Sequence, residues 1–410
     1  MKYMVMRMNK ILAMGKLTKI ISQEAYIDEK DDPEMDSLGY SRETRDFIAR
    51  PKFQIAMKEI IKIYKERVRK LLRAYHTDKY IKEFDRKIEK CEKRKTVQYL
   101  RSDIAKEVPI TLQILREHLF IAEQVERALD TFGKFKIHKI QNLYPTHHAS
   151  EGKAQGYCLF NWRNVLVMKL HKAGIICGGM DIDIHASGNT TSGIFTSDWS
   201  KGARAYHHYL DVTSTDVYPY KFEVKKDELY CKGKMMPHEL VLALDGTVKK
   251  DNRGKRCWVH YCESTNTRQI VFEAQFSPKL MVQIVDGFNE KRVELMRGMY
   301  GDHQIMDICH IGVDAASGDD IGNQNLTEKS FSILGQQHRK YCENNNIGIV
   351  YFNEGGYRKR GNVSPLFKHF YGTENTEGVS RTQSQQVEKK RKADAISPNN
   401  KVQKTFYGDQ

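Results

Sequence analysis

From Gly178 to Thr191 the sequence reads GGMDIDIHASGNTT. Asp181, Asp183 and His185 alternate with Ile182 and Ile184, the period of two that sends successive side chains to opposite faces of a strand. The three polar side chains therefore share one side. The isoleucines share the other, as a strand buried between helix layers requires. Two carboxylates and an imidazole on one side destabilise a protein interior unless a cation joins them. An Asp/His set of this kind suits Zn²⁺ or another borderline divalent ion. The competing reading is a solvated strand end with coincidental charges.

Outward from this stretch the chain changes character. Helical periodicity runs over about 50–73 and 111–129, and Trp162 to Lys172 reads as a third helix that stops before Gly174. Beyond it, short apolar segments (Ile175–Ile184, Leu240–Leu244, Met306–Val313, Ile347–Phe352) alternate with helical stretches at Lys279–Met296 and Thr327–Glu343. That alternation predicts an α/β fold: three α/β/α layers around a mainly parallel sheet. In such sheets the working residues gather at the carboxyl ends of the strands. Three further segments fit that expectation. Asp307-Ile-Cys-His-Ile-Gly-Val-Asp314 is an apolar strand ending in a carboxylate, able to add a metal ligand from a second strand end. Tyr144-Pro-Thr-His-His-Ala149 places His147 and His148 side by side in a Pro-started loop, suited to acid/base work or simply polar. Ile347 to Tyr357 runs a buried strand into a Gly-Gly turn that presents a tyrosine.

The chain has 410 residues, enough for one large α/β domain or two ordinary ones, and 40% of them are hydrophobic. No apolar run approaches the ~20 residues that span a bilayer, and the N-terminus reads as mature sequence rather than a signal peptide. Eight scattered cysteines match reduced intracellular thiols better than a disulfide framework. Cys257-x-x-His260-x-Cys262 is the one cluster among them, and a strand with chance cysteines explains it better than a structural zinc. The net charge is +15; residues 51–100 hold 16 Lys+Arg against 7 Asp+Glu. There Met57, Ile60, Ile61, Tyr64, Val68, Leu71 and Leu72 form one helical face and Lys58, Lys62, Lys65, Arg69 and Arg73 the other. A solvated basic face is the simpler account; an acidic partner such as chromatin is the other. Residues 373–410 are polar and read as a disordered tail. Its Lys389, Lys390, Arg391 and Lys392 are either a solvated charge run or a nuclear import signal.

Taken together, YPTHHASEGKAQGYCLFNWRNV, MDIDIH, IGVDAASGDDIGNQNLTEKSF and NEGGY resemble, in this order, the motifs of the zinc-dependent histone deacetylase family of the arginase/deacetylase fold. HTDKYIKEF (His76 to Phe84) is similar to the family's His-x-x-x-Tyr stretch. The Glu-Gly-Gly-Tyr form is that of class II deacetylases and acetylpolyamine amidohydrolases. The resemblance implies one Zn²⁺ per chain held by Asp183, His185 and Asp314, and it leaves room for a structural monovalent cation. It makes His147 and His148 the histidine pair beside the metal-bound water, and Asp181 the carboxylate that orients His147. Tyr357 would donate to the developing oxyanion, and Tyr157 and Tyr218 would wall an acyl-lysine tunnel. Residues 1–372 would form the catalytic domain, with a divergent insertion at about 220–299.

The implied reaction is removal of acetyl groups from lysines of proteins such as histones, in the nucleus if the basic tail acts as an import signal and in the cytoplasm otherwise, with no membrane partner. Two alternatives stand beside it: an acetylpolyamine deacetylase, and a catalytically impaired scaffold that keeps the fold for protein interactions. The second draws on a departure from the family's pattern. After His185 the chain carries Ala186 where a second histidine is usual, and Asn189 stands one place out of register. Gly178-Gly179 is also unexpected in a strand, where β-branched residues are the usual occupants.

Overall fold

The computed structural model describes residues 59–94, 98–100, 108–110, 112–130, 136–140, 145–156, 158–186, 201–215, 217–218, 222–231, 234–235, 239–240, 250–319, 322, 324–356 and 364–372. Eight strands build the central sheet: β1 (Ile137–Ile140), β2 (Ile176–Ile182), β3 (Tyr206–Ser214), β4 (Glu239–Leu240), β5 (Cys257–Cys262), β6 (Thr267–Phe272), β7 (Ile305–Ile311) and β8 (Gly348–Asn353). Their spatial order is β1-β8-β7-β2-β3-β6-β5-β4. Every pairing from β1 across to β6 is parallel; β5 and β4 add an antiparallel edge. The mainly parallel α/β sheet expected from the alternating segments is the one that forms.

Helices α1 (Asp78–Arg94), α2 (Leu112–Leu129), α3 (Trp162–Lys172), α4 (Pro278–Tyr300), α5 (Glu328–Asn344) and α6 (Ser364–Tyr371) supply the outer layers. One apolar cluster joins Phe84, Leu115, Val125, Phe160, Trp162 and Leu166 to Ile308 and Val350 of the sheet. A second, on the opposite face, joins Val285, Val293, Phe331, Leu334 and Phe370 to Val212, Ile311 and Ile349. β7 shows why the strand pattern is nearly continuously apolar. All seven of its residues are buried; Met306 and Ile308 enter the first cluster and Cys309 and Ile311 the second. A strand covered on both faces has no polar side to display.

The chain from 59 to 72 is helical, with a π turn at Tyr64–Val68, and buries Ile61, Tyr64, Val68, Leu71 and Leu72 as the sequence predicts. Within 220–299, strands Phe222–Lys225, Glu228–Cys231 and Lys234–Met235 make a small antiparallel sheet. From Cys257 onward the same span is woven into the main sheet as β5, β6 and the covering helix α4. Along β5, strand alternation puts Cys257 on the face opposite His260 and Cys262, so these three do not converge on one ion. Among the described residues no helix is long and apolar enough to cross a membrane.

Gly178 and Gly179 of β2 are demanded by what lies on either side. A Cβ at Gly178 would stand 2.4 Å from Met296 Sδ and 2.9 Å from Asp307 Oδ1. One at Gly179 would stand 2.5 Å from the Ile308 carbonyl and 2.6 Å from Arg163 Nη2. The pair makes room for buried charged groups above and below the strand, and the β2–β3 register shifts at the same place.

His76 fixes the start of α3. The Asn161 side chain caps that helix, accepting from Asn164 N at 2.9 Å. Asn161 N in turn donates to His76 Nε2 at 3.0 Å, while His76 Nδ1 faces the Glu151 carbonyl at 3.2 Å. Both ring nitrogens are used only if the ring is neutral. Burial enforces that, pushing the pKa of His76 down to about 3, and that of His118, which accepts from Trp162 Nε1, down to about 3 as well.

Candidate active site

Asp183 and His185 follow the end of β2, and Asp314 follows the end of β7, the carboxyl edge of adjacent parallel strands. The structure brings the three together, buried, with their donor atoms all within 4.8 Å of one another. His185 Nδ1 lies 3.1 Å from Asp183 Oδ1 and 2.5 Å from Asp314 Oδ2. Backbone amides set the carboxylates: Gly355 N donates to Asp183 Oδ2 at 2.7 Å, and Ile184 N to Asp314 Oδ1 at 3.2 Å. The chain closes tightly around them. A Cβ at Gly312 would sit 2.3 Å from Asp183 Oδ2, and one at Gly355 2.5 Å from Asp314 Oδ2. This is a fit for a divalent ion: two carboxylates and one imidazole nitrogen turned to a common point, oriented by backbone donors.

His147 and His148 lie beside this triplet, ring centroids 4.0 Å apart. His147 Nδ1 faces Asp181 Oδ2 at 3.0 Å, and its Nε2 lies 4.0 Å from Asp183 Oδ2. The His148 ring stands 6.3 Å from that of His185. Burial lowers the pKa of His147, but Asp183 and Asp181 outweigh it and raise the pKa to about 10. His148 is pushed well down by burial and by its neighbours His147 and His185. Burial likewise lowers the pKa of His185, but Asp314 and Asp183 outweigh it and raise the pKa to about 10. Burial and the nearby Asp183 carboxylate push Asp314 up. Asp183 itself is held low against burial by His147 and His185. The carboxylates of this cluster thus lean on histidines for their counter-charge.

A layer beneath, not anticipated from the sequence, braces the pair. Glu354 Oε2 accepts from Thr146 N at 2.5 Å and His147 N at 3.4 Å, and Thr146 Oγ1 donates to Oε1 at 2.5 Å. Burial raises Glu354 to about 8 against the opposing pull of His147 and the Thr146 bonds. His310 Nε2 faces Glu354 Oε1 at 3.3 Å, and its Nδ1 accepts from Arg163 Nη1 at 2.8 Å. Arg163 Nη1 also donates to Tyr209 OH at 2.5 Å, and the guanidinium lies over the Tyr206 and Tyr209 rings. The carboxylate in NEGGY was a visible signal for Glu354. Nothing in a helical pattern marks Arg163, whose role depends on the space above Gly179.

Tyr218 stands against His148, ring centroids 5.0 Å apart at 87°. Tyr157, Tyr357, Asn189 and the run Lys389–Lys392 lie outside the described residues.

The sequence model of the histone deacetylase domain matches residues 47–371. No curated protein matches the chain in sequence. Among solved structures, the HDA15 HD domain is 19% identical over 73% of this chain and 72% of that one, with a TM-score of 0.49. The acetylpolyamine aminohydrolase from Burkholderia pseudomallei is 14% identical over 74% and 81%, TM-score 0.48. An HDAC homolog from Aquifex aeolicus is 16% identical over 73% and 68%, TM-score 0.44. With the domain match spanning most of its length, this chain belongs to the histone deacetylase family of hydrolases.

Proposed function

We propose that the protein is a zinc-dependent amidohydrolase that removes acetyl groups from lysine side chains of proteins such as histones. The observation that carries this reading is the convergence of Asp183, His185 and Asp314 beside a histidine pair braced from behind by Asp181 and Glu354. Asp183, His185 and Asp314 would hold the ion, which when bound polarises an amide carbonyl and acidifies water.

The chain's own groups divide the proton work. His148, kept neutral by burial and its cationic neighbours, accepts the proton of the attacking water. His147, its imidazolium favoured by Asp183 and Asp181, returns a proton to the leaving lysine amine. Asp181 fixes which His147 nitrogen faces the site. By the family resemblance, Tyr357 donates to the oxyanion of the tetrahedral intermediate, and Tyr157 and Tyr218 flank the acyl-lysine chain. The run Lys389–Lys392 supports a nuclear location, and the basic face of residues 51–100 supports an acidic partner such as chromatin.

Metal analysis of the purified protein and turnover of an acetyl-lysine peptide test the proposal together. Expected are bound zinc and a peptide turnover that falls roughly 10²–10⁴-fold in His148→Ala and about 10²–10³-fold in Tyr357→Phe. Faster turnover of acetylputrescine than of the peptide would move the substrate to polyamines. Well-folded protein that stays inactive with zinc supplied would make the fold a scaffold.

A further inference from the structure

A second polar cluster lies on the other face of β7, sealed beneath α4 and α5. Asp307 and Cys309 are two apart on the strand and share a face. His338 and Cys342 are four apart on α5 and share a helix face. His338 Nε2 lies 2.7 Å from Asp307 Oδ2, 3.3 Å from Cys342 Sγ and 3.9 Å from Cys309 Sγ. Asp307 Oδ2 lies 3.9 Å from Cys342 Sγ and 3.6 Å from Cys309 Sγ. Around a tetrahedral ion with bonds of about 2.0–2.3 Å, N, O and S donors stand roughly 3.3–3.8 Å apart. Asp307, His338 and Cys342 offer donor atoms all within 4.8 Å of one another, and Cys309 stands beside them as the fourth. All four residues are buried, and all four come from rigid strand or helix.

Two outer contacts aim the donors. Tyr351 OH meets His338 Nδ1 at 2.8 Å, which turns Nε2 toward the cluster. Arg292 grips Asp307 with both arms, Nη1 to Oδ1 at 2.7 Å and Nη2 to Oδ2 at 2.6 Å. Partners that hold a ligating imidazole and carboxylate from behind are typical of metal centres.

We propose that Asp307, His338, Cys342 and Cys309 form a second, structural metal site for a borderline divalent cation such as Zn²⁺. The mix of one carboxylate, one imidazole and two sulfurs selects that class over hard cations such as Mg²⁺ or Ca²⁺. Each thiol gives its proton to solvent as its sulfur binds. Carboxylate and two thiolates then balance the dication and Arg292, so the filled site is neutral and tolerable in a core. With four protein donors it has no open position for substrate, and its role is to pin α5 to β7.

Cobalt(II) tests this directly, because a thiolate-to-cobalt absorption band arises only where cysteine sulfur is a ligand. Asp183, His185 and Asp314 include no sulfur. Full-length protein as isolated is expected to carry about two ions per chain, and chelator-stripped protein reloaded with Co²⁺ to show the thiolate band. Cys342→Ser removes the band, Cys309→Ser reduces it, and Asp314→Asn keeps it while lowering the metal content to about one ion per chain. A folded wild-type protein with no such band overturns the second site and leaves a polar network only; so does a band that survives Cys342→Ser. The wild-type spectrum decides even where a variant does not fold. A band together with an inactive enzyme would uphold this site while rejecting the proposed activity.

Discussion

β7 carries two buried polar clusters, one on each face and toward opposite ends, and they are built on different electrostatics. Near its amino end, Asp307 is held by Arg292, which has only 2% of its surface exposed, and the carboxyl stays ionised far below the usual carboxylate range despite burial. Past its carboxyl end, Asp314 meets Asp183 across a gap that contains His185, and the cations that hold Asp183 low are His147 and His185. The first carboxylate has a permanent cation; the second group depends on histidines that must stay protonated, or on an ion from solution. A site that needs an external cation is one that can perform chemistry with it. A site with its own guanidinium serves stability first, whether or not a metal is added.

The sharpest break of this contrast comes from removing one charge at each end. Asp314→Asn is expected to abolish turnover of an acetyl-lysine peptide while changing the unfolding free energy of metal-free protein by no more than about 1 kcal/mol. One fewer buried carboxylate there relieves repulsion as much as it removes a bond. Arg292→Met strands a buried Asp307 and is expected to cost roughly 3–5 kcal/mol in urea or thermal unfolding. Equal stability losses in the two variants would erase the distinction.

A milder test concerns the brace. Glu354→Gln keeps the size of the side chain but weakens its grip on Thr146 and His147. Since it touches neither ligands nor substrate, a fall of about tenfold in kcat with little change in KM is expected, the mark of a misplaced catalytic group. An unchanged kcat would reduce Glu354 to a structural part.

The last test is in acid. His76 and His118 have folded-state pKa values near 3, below the ordinary 6.5. The unfolded chain therefore binds more protons between those limits, and stability is lost as pH falls from about 6.5 toward 3. His118→Gln, which retains an acceptor for Trp162 Nε1, is expected to flatten that limb of a stability-versus-pH curve. A steeper limb would contradict the assignment.

How much of this was legible beforehand follows from what each element depends on. β2, β7 and β8 are covered on both faces, so their apolar runs showed plainly, and the polar residues at their ends stood out against them. Asp183, His185 and Asp314 stood out that way; the histidine pair showed only as a Pro-started loop, and the family resemblance joined it to them. β3 was not, because its buried residues include His208, Asp211 and Thr213, which interrupt any apolar run; Gln269 Nε2 reaches Asp211 at 2.6 Å from β6. Gly178-Gly179 looked misplaced until Asp307 and Arg163 appeared on either side of them. The pairs Asp307-x-Cys309 and His338-x-x-x-Cys342 were present in the sequence, but each spacing is common, and only the packing of α5 on β7 makes them one cluster.

The central claim is that the Asp183–His185–Asp314 triplet and the histidine pair act as one zinc-dependent deacylase centre. Stripping the metal from the full-length protein and titrating Zn²⁺ back while following acetyl-lysine peptide turnover tests it most directly. The account predicts that activity disappears on stripping, returns as zinc is added, and never returns in His148→Ala. Undiminished turnover by metal-free protein, or a zinc-loaded wild-type protein without turnover, would contradict it.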